Sequence, residues 1–211
     1  MKKIIRLAAA ALAFGLSFSV ASAATFNGEF WDADVNLGNL GSADAIIAAG
    51  PATATFQSTG INYTSSTGGS VSSGSTLNTF LGADAASLSG SGTSTLTRSV
   101  FRFTGLLNLA AGPQQFSVGS DDGFRLTIGG VEIATAGNRG FATTSATRDL
   151  GAGLSAFELI FYENGGSTGV NFSINGALAA PAAIPLPASL PLMLLGLGAL
   201  GAAMRRRKTA A

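Results

Sequence analysis

The sequence contains no cysteine and no histidine among its 211 residues. Without cysteine, no disulfide can cross-link the fold and no thiolate can act as a nucleophile or metal ligand. Without histidine, Ser-His-Asp and Cys-His catalysis and histidine-based metal sites are excluded. The polar chemistry that remains rests on carboxylate, amide, hydroxyl and backbone oxygens, which are hard ligands of the kind that calcium prefers.

Charge is scarce as well, and it is unevenly distributed. Only 11% of the residues are charged, and residues 24–183 contain no lysine, five arginines and eleven acids, a net charge of −6. The other seven cations lie close to the two ends of the chain. A segment of this sign is a poor partner for nucleic acid or anionic lipid. It suits a protein that binds divalent cations or remains soluble outside the cell.

The first 23 residues have the three parts of a secretory signal peptide. Lys2, Lys3 and Arg6 precede an apolar run over residues 7–20, and Ala21-Ser22-Ala23 places small residues where a signal peptidase reads them. The apolar run is too short for a comfortable membrane span of about 20 residues. We therefore expect signal peptidase to remove residues 1–23, which leaves Ala24 as the new N-terminus.

The other end of the chain carries a second, differently ordered signal. A proline-containing motif (Ile184-Pro185-Leu186-Pro187-Ala188) precedes a Gly-rich apolar stretch that reaches residue 204 without a charge. A basic cluster follows at Arg205, Arg206, Arg207 and Lys208. The uncharged stretch is long enough to span a bilayer as a helix, and the positive-inside rule keeps the basic cluster in the cytoplasm.

The order of motif, apolar helix and arginine cluster resembles the PEP-CTERM sorting signal, in the variant that reads Val-Pro-Leu-Pro-Ala. The resemblance implies a Gram-negative host that makes exopolysaccharide. It also implies cleavage near the proline motif by an exosortase, a membrane cysteine protease. Proline has no amide donor and holds the chain extended, which keeps the motif accessible to a protease. We expect an inner-membrane intermediate and then a protein at the cell surface or outer membrane, or in the extracellular matrix.

Between the two signals, short alternating segments separated by Gly, Asn and Asp predict an all-β domain. Residues 124–128 and 131–133 flank Gly129-Gly130, which predicts a tight hairpin because both turn positions accept a positive φ. The apolar run 157–162 predicts a central strand that is buried on both faces. By contrast, residues 64–97 are dominated by Ser, Thr and Gly, which favours long and partly mobile loops.

The densest polar cluster in the sequence is Ser120-Asp121-Asp122-Gly123, which lies between two predicted strands. Two adjacent carboxylates repel each other unless a cation or several donors neutralise them. One reading is a shared calcium ion, with side-chain and backbone oxygens that complete its coordination. The other reading is a tight turn, in which Asp accepts backbone amides and Gly adopts a left-handed conformation.

The same region resembles the protective-antigen-type β-domain of flocculins and bacterial adhesins. The matching segments are residues 116–130 (FSVGSDDGFRLTIGG), 148–153 (RDLGAG) and 159–166 (LIFYENGG), with weaker matches at 28–32 and 102–105. The resemblance implies an antiparallel β-sandwich, often drawn as a barrel. In sugar-binding members an Asp-Asp pair joined by a cis peptide holds calcium, and the calcium holds sugar hydroxyls. Asp121 and Asp122 match that pair by position, and Asn138 is the expected loop ligand.

These observations predict three segments: a signal peptide (1–23), a protective-antigen-type β-domain (24–180) and a sorting signal (181–211). The expected function is non-catalytic, calcium-dependent binding of exopolysaccharide or surface glycans in a biofilm matrix. A structural matrix or envelope protein without a ligand is the alternative. A glycoside hydrolase is a remote alternative, because Glu158 and Glu163 lie five residues apart on one strand and therefore face opposite ways.

Overall fold

The structure is a computed structural model that describes residues 24–183. These residues form two short helices, α1 (Leu40–Ala49) and α2 (Leu77–Leu81), and a 3₁₀ helix (Gly82–Ser87). They also form thirteen strands: β1 (Phe26–Asp32), β2 (Ala54–Ser58), β3 (Asn62–Tyr63), β4 (Val71–Ser72), β5 (Ser89–Gly90), β6 (Ser99–Leu109), β7 (Gln114–Asp121), β8 (Gly123–Ile128), β9 (Val131–Ala136), β10 (Ala142–Arg148), β11 (Gly153–Glu163), β12 (Ser167–Ile174) and β13 (Ala177–Leu178).

The strands pair antiparallel in two sheets. The first sheet has seven strands in the order β5-β2-β1-β6-β11-β8-β9. The second has the order β10-β7-β12-β13, and β3 and β4 also pair with β12. Within residues 24–183 the two sets of ladders stay separate, so the predicted all-β fold takes the form of a sandwich.

Aromatic side chains fill the space between the sheets. In the first sheet Phe101 packs against Phe161, with ring centroids 5.7 Å apart. Across the sandwich Phe157 meets Phe172 of the second sheet at 5.8 Å. In β2, for example, buried residues alternate with exposed ones, which is the period-two pattern of a strand with one buried face. The run 157–162 lies in β11 between β6 and β8, and its residues are buried on both faces except for the half-buried Glu158. The predicted central strand is therefore confirmed.

The outer face of the first sheet is partly covered by α1, which the sequence patterns did not predict. The Asn39 side chain caps the helix by accepting the Ser42 amide. Arg125 of β8 reaches α1 through a two-pronged ion pair with Asp44, in which Nη2 lies 2.7 Å from Oδ1. This pair and a small apolar cluster around Trp31 hold the helix against the sheet. Trp31 is 5% exposed, so it belongs to the packing of the protein.

The stretch 64–97 differs from the loops that its composition favoured. It contains β4, α2, the 3₁₀ helix and β5, and it supplies Leu77, Phe80, Leu81 and Leu96 to the main core. The Leu96 amide donates to the Ser73 carbonyl, which fixes one side of the stretch to the other. Isolated apolar residues in a Ser/Thr-rich segment carry no readable period, so their burial depends on the sheet against which they pack.

Two groups of predictions lie outside the described residues: the signal peptide at 1–23, and the sorting motif, apolar helix and arginine cluster after residue 183. Within residues 24–183, no helix has the length and apolar character needed to cross a membrane. The hairpin at Gly129-Gly130 is confirmed, with φ values of 59° and 80°.

Gly28 of β1 provides a test of how tightly the core is packed. A Cβ atom at this position would overlap the ring of Phe56, which is held between Tyr63 and Phe103. We expect Gly28→Ala to lower the free energy of unfolding by about 1–3 kcal/mol in urea denaturation. Gly50→Ala makes the same chemical change where no atom lies within 4 Å of the new Cβ. It should change stability by less than about 0.5 kcal/mol, and equal effects of both variants would contradict the packing described here.

Candidate metal centre and binding site

Three connections between the two sheets meet at one end of the sandwich. The chain passes from β7 to β8 through Asp122 alone, from β9 to β10 through residues 137–141, and from β11 to β12 through residues 164–166. The strand registers place these crossings together, because Ser120 pairs with Ala142, Asp121 with Gly169, and Gly123 with Tyr162. This end of the sandwich therefore gathers residues from six strands.

Asp121 and Asp122 lie where the chain leaves the second sheet for the first. The peptide bond between them is cis, and their exposures are only 7% and 6%. The Ser70 hydroxyl donates to Asp121 Oδ2, and the Asn164 amide donates to Asp122 Oδ2 at 2.9 Å. Each carboxylate thus has one hydrogen-bond donor of good geometry, which is fewer than two charged oxygens can accept.

Glu163 is the third carboxylate of the site, and the sequence patterns did not identify it as a ligand. It ends β11 with 0% exposure, and one of its carboxylate oxygens lies within 4.8 Å of one oxygen each of Asp121 and Asp122. The signal that could have revealed it is an acid that directly continues a strand buried on both faces. Glu158, considered with it as a catalytic pair, is half-buried near Arg102 and Arg125, so the two carboxylates are not brought together.

Buried polar atoms without partners gather around the same point. In the described part of the chain they are Arg139 Nε, Tyr162 Oη, Thr168 Oγ1 and both carboxylate oxygens of Glu163. The Thr168 hydroxyl and the Gly165 amide lie near enough to favour the charged form of Glu163, but neither makes a hydrogen bond of good geometry. Buried polar groups are normally paired, so a concentration of unpaired ones indicates a site that accepts a ligand.

The electrostatics of the cluster agree with this interpretation. Burial raises the pKa of Glu163 from 4.5 to about 8, and the charges of Asp122 and Asp121 contribute to the increase. Burial also raises the pKa of Asp122, while the backbone amides of Asn164 and Arg139 oppose that change. The protein therefore disfavours three negative charges at this point unless a proton or a cation compensates for them.

The residues present fit a calcium ion. Carboxylate oxygens are its preferred side-chain ligands, and the cluster brings three of them together, one each from Asp121, Asp122 and Glu163. The unpaired oxygens of Glu163 are groups that a cation would satisfy. Calcium would supply charge compensation and open coordination positions for oxygen ligands from outside the protein.

The loop 137–141 lies beside the cluster and carries Asn138 and Arg139. The Arg139 guanidinium donates to Thr144 Oγ1, Ser120 Oγ and the Ala142 carbonyl. It also lies over the Phe124 ring, 5.5 Å from the ring centroid. Desolvation lowers the pKa of Arg139, although the charge of Asp121 acts against this effect. Asn138 is exposed in the same loop, and its role as a ligand remains a prediction.

Comparison with solved structures identifies the fold family. The PA14 sugar-binding domain from an RTX adhesin is 30% identical, and the match covers 76% of this chain and 100% of that one, with a TM-score of 0.62. The PA14 domain of the MpAFP antifreeze protein is 26% identical, with coverages of 75% and 87% and a TM-score of 0.65. The chain belongs to the PA14 domain family, the protective-antigen-type domain that the sequence segments resemble.

A sequence profile adds a second finding at the end of the chain. The PEP-CTERM protein-sorting motif matches residues 183–208, which contain the proline motif and the arginine cluster. The predicted sorting signal is therefore confirmed as a motif. A search of curated proteins gave no significant match.

The raised pKa of Glu163 predicts how stability changes with pH in calcium-free protein. In the folded state Glu163 keeps its proton up to about pH 8, whereas the unfolded chain loses it near the ordinary value of 4.5. The unfolded state therefore binds fewer protons between these values, and stability should fall as the pH rises from about 4.5 to about 8. The pKa of Asp122 is also raised in the folded state, so Asp122 contributes to stability in the same direction.

Urea unfolding of calcium-free protein at pH 5 and pH 8 measures this effect. Glu163→Gln should reduce the loss of stability between the two pH values, because glutamine does not titrate. Glu132→Gln removes a carboxylate from an exposed position of β9 and is the matched control. An unchanged pH dependence in Glu163→Gln would show that Glu163 is not the titrating group.

Proposed function

We propose that the protein is a non-catalytic, calcium-dependent carbohydrate-binding protein of the cell surface or extracellular matrix. The observation that supports it is the buried cluster of Asp121, Asp122 and Glu163, in which one carboxylate oxygen of each residue lies within 4.8 Å of the other two, at the end of the sandwich where the loops meet. The related domain from an RTX adhesin is described as sugar-binding, and membership of the same family extends that activity to this chain as a hypothesis.

In this proposal calcium is held by Asp121, Asp122 and Glu163, and Asn138 contributes from the loop before β10. The protein residues supply the negative charge, while Ser70 and the Asn164 amide hold the two aspartates in place. The open coordination positions then bind hydroxyl oxygens of a sugar in exopolysaccharide or in a neighbouring glycan. Such a site buries little apolar area, so binding of one sugar is expected to be weak. Many copies on one surface would compensate through avidity.

Thermal unfolding tests the metal site. With calcium at 100 times its dissociation constant, a single site stabilises the folded protein by about 2.7 kcal/mol. For a domain of this size we expect the midpoint temperature of thermal unfolding to rise by roughly 5–11 °C. Asp121→Asn combined with Asp122→Asn should abolish the rise, and Glu163→Gln should diminish it.

The matched control is Asp34→Asn with Asp149→Asn, which removes two exposed carboxylates and changes the net charge equally. A calcium-induced rise that survives the double substitution at 121 and 122 would place the ion elsewhere. No rise in the unmodified protein would favour the structural alternative, in which Asp121 and Asp122 only shape the crossing. A glycan array read with calcium and with EDTA then tests sugar binding directly.

The PEP-CTERM motif gives the proposal its cellular setting. We infer that the chain is exported, is held in the inner membrane by residues 190–204 with the arginine cluster inside, and is then cut by an exosortase near Pro185-Leu186-Pro187-Ala188. The motif match at 183–208 supports this route, because it contains the proline segment, the apolar stretch and the arginine cluster in that order. The domain would then reach the surface or matrix, where its glycan ligands are found.

Replacement of the two motif prolines tests the sorting route. Pro185→Ala with Pro187→Ala allows the segment to become helical, because alanine is the best helix former and proline the worst. We expect the uncleaved precursor to accumulate in the membrane fraction, as seen by immunoblotting of fractionated cells. Pro51→Ala with Pro113→Ala is the matched control, since it changes two prolines far from the motif in sequence. Normal processing of the motif variant would show that these prolines are not required.

A further inference from the structure

Phe141 differs from every other aromatic residue of the described segment. All other phenylalanine, tyrosine and tryptophan side chains within residues 24–183 are buried, whereas Phe141 is half-buried and reaches the solvent. Its position is also distinctive, because it ends the loop 137–141 that lies beside the metal cluster. Nearly all of the aromatic surface of this domain is used for packing, so a ring left open at the site needs a separate explanation.

Two glycines provide the surface on which this ring rests. A Cβ atom at Gly119 would lie 3.0 Å from Phe141 Cζ, and one at Gly169 would lie 3.4 Å from Cε2. One edge of the ring therefore packs against a strip of side-chain-free backbone on β7 and β12. Any larger residue at Gly119 would also meet the Asn171 side chain, so the strip depends on glycine. The contact holds this edge of the ring, and Phe141 as a whole remains only half-buried.

This surface lies next to the aspartate pair. Gly169 is the cross-strand partner of Asp121, and Gly119 precedes Asp121 by two residues on the same face of β7, about 7 Å along the strand. Ser70 connects the two features. Its Cα would lie 3.4 Å from the same Cβ position of Gly169, and its hydroxyl donates to Asp121 Oδ2. The ring, the serine and the aspartate thus surround one point on the second sheet.

We propose that Phe141 is the apolar wall of the sugar subsite and a determinant of its specificity. A pyranose has hydroxyl groups along its edge and patches of C–H groups on its faces. The hydroxyl groups suit the cation held at Asp121 and Asp122, and the C–H patches suit the face or edge of an aromatic ring. The ligand class is therefore a pyranose that presents hydroxyl oxygens to the metal and a C–H patch to Phe141. This inference rests on the proposed function.

The test uses the full chain, purified from the membrane fraction in detergent, with three substitutions. Phe141→Leu keeps an apolar side chain on the glycine strip but removes the ring, and Phe141→Tyr keeps the ring. Leu154→Ala is the matched control, because Leu154 is also an apolar residue in contact with solvent. It lies nine residues before Glu163 on β11, about 30 Å from the site. The probes are the methyl glycosides of glucose, galactose, mannose and fucose.

Calorimetry measures the affinity for calcium alone, and proton NMR of the calcium-loaded protein measures sugar affinity and the ring-current shifts of the sugar C–H protons. We expect Phe141→Leu to weaken sugar binding about three- to tenfold. It should also abolish the upfield ring-current shifts that the Phe141 ring causes in the sugar C–H protons. The affinity for calcium should stay unchanged within about twofold. Phe141→Tyr and Leu154→Ala should bind sugar as the unmodified protein does.

The remaining outcomes separate this inference from the proposed function. If Phe141→Leu weakens calcium binding as much as sugar binding, the ring only anchors the loop of Arg139, and the inference is wrong. It is also wrong if calcium binds but none of the four glycosides does, or if sugar binding is the same without the ring. Failure of the unmodified protein to bind calcium would instead overturn the proposed function itself.

Discussion

Charge repulsion within a small, nearly dry volume is the constraint around which this end of the protein is built. Asp121, Asp122 and Glu163 are each less than 10% exposed, and one carboxylate oxygen of each lies within 4.8 Å of the other two. Burial and mutual repulsion both oppose ionisation, so the cluster needs a proton or a cation to be stable. The unpaired atoms of Glu163, Thr168, Tyr162 and Arg139 surround the same point. A structural turn alone would not explain why polar groups are left without partners there.

The topology explains how three such groups come together. Glu163 ends a strand of the first sheet, and Asp121 ends a strand of the second, while Asp122 forms the one-residue crossing between the sheets. The aromatic core keeps the two sheets at a fixed distance, and the glycine strip at Gly119 and Gly169 leaves space on the outer face. Scaffold and site are therefore made by different residues of the same strands. Inward positions provide packing, while strand ends and glycines provide binding geometry.

Two separable parts of the chain underlie the proposed function. The sorting motif at 183–208 concerns where the protein is delivered, and it acts through a linear sequence of prolines, apolar residues and arginines. In the proposed function the PA14 domain binds the ligand, and it does so through a three-dimensional arrangement. A domain with a net charge of −6 and no lysine is repelled by anionic polymers as a whole. A cation at the carboxylate cluster would offset this negative charge locally, which fits selective binding of polyhydroxylated ligands.

Local patterns were enough to predict β6, β7, β8, β9, β11 and β12 and the Gly129-Gly130 hairpin, and to single out the sorting motif and the Asp121-Asp122 pair, because each depends on neighbouring residues in the chain. Glu163, Ser70 and Phe141 were not identified, because they approach the aspartates only through strand pairing and loop packing over long sequence separations. The same reason applies to Leu77, Phe80 and Leu96, which enter the core from a segment without periodicity. Periodicity and turn chemistry are encoded locally, whereas the composition of a site formed where two sheets meet depends on which distant strands become neighbours.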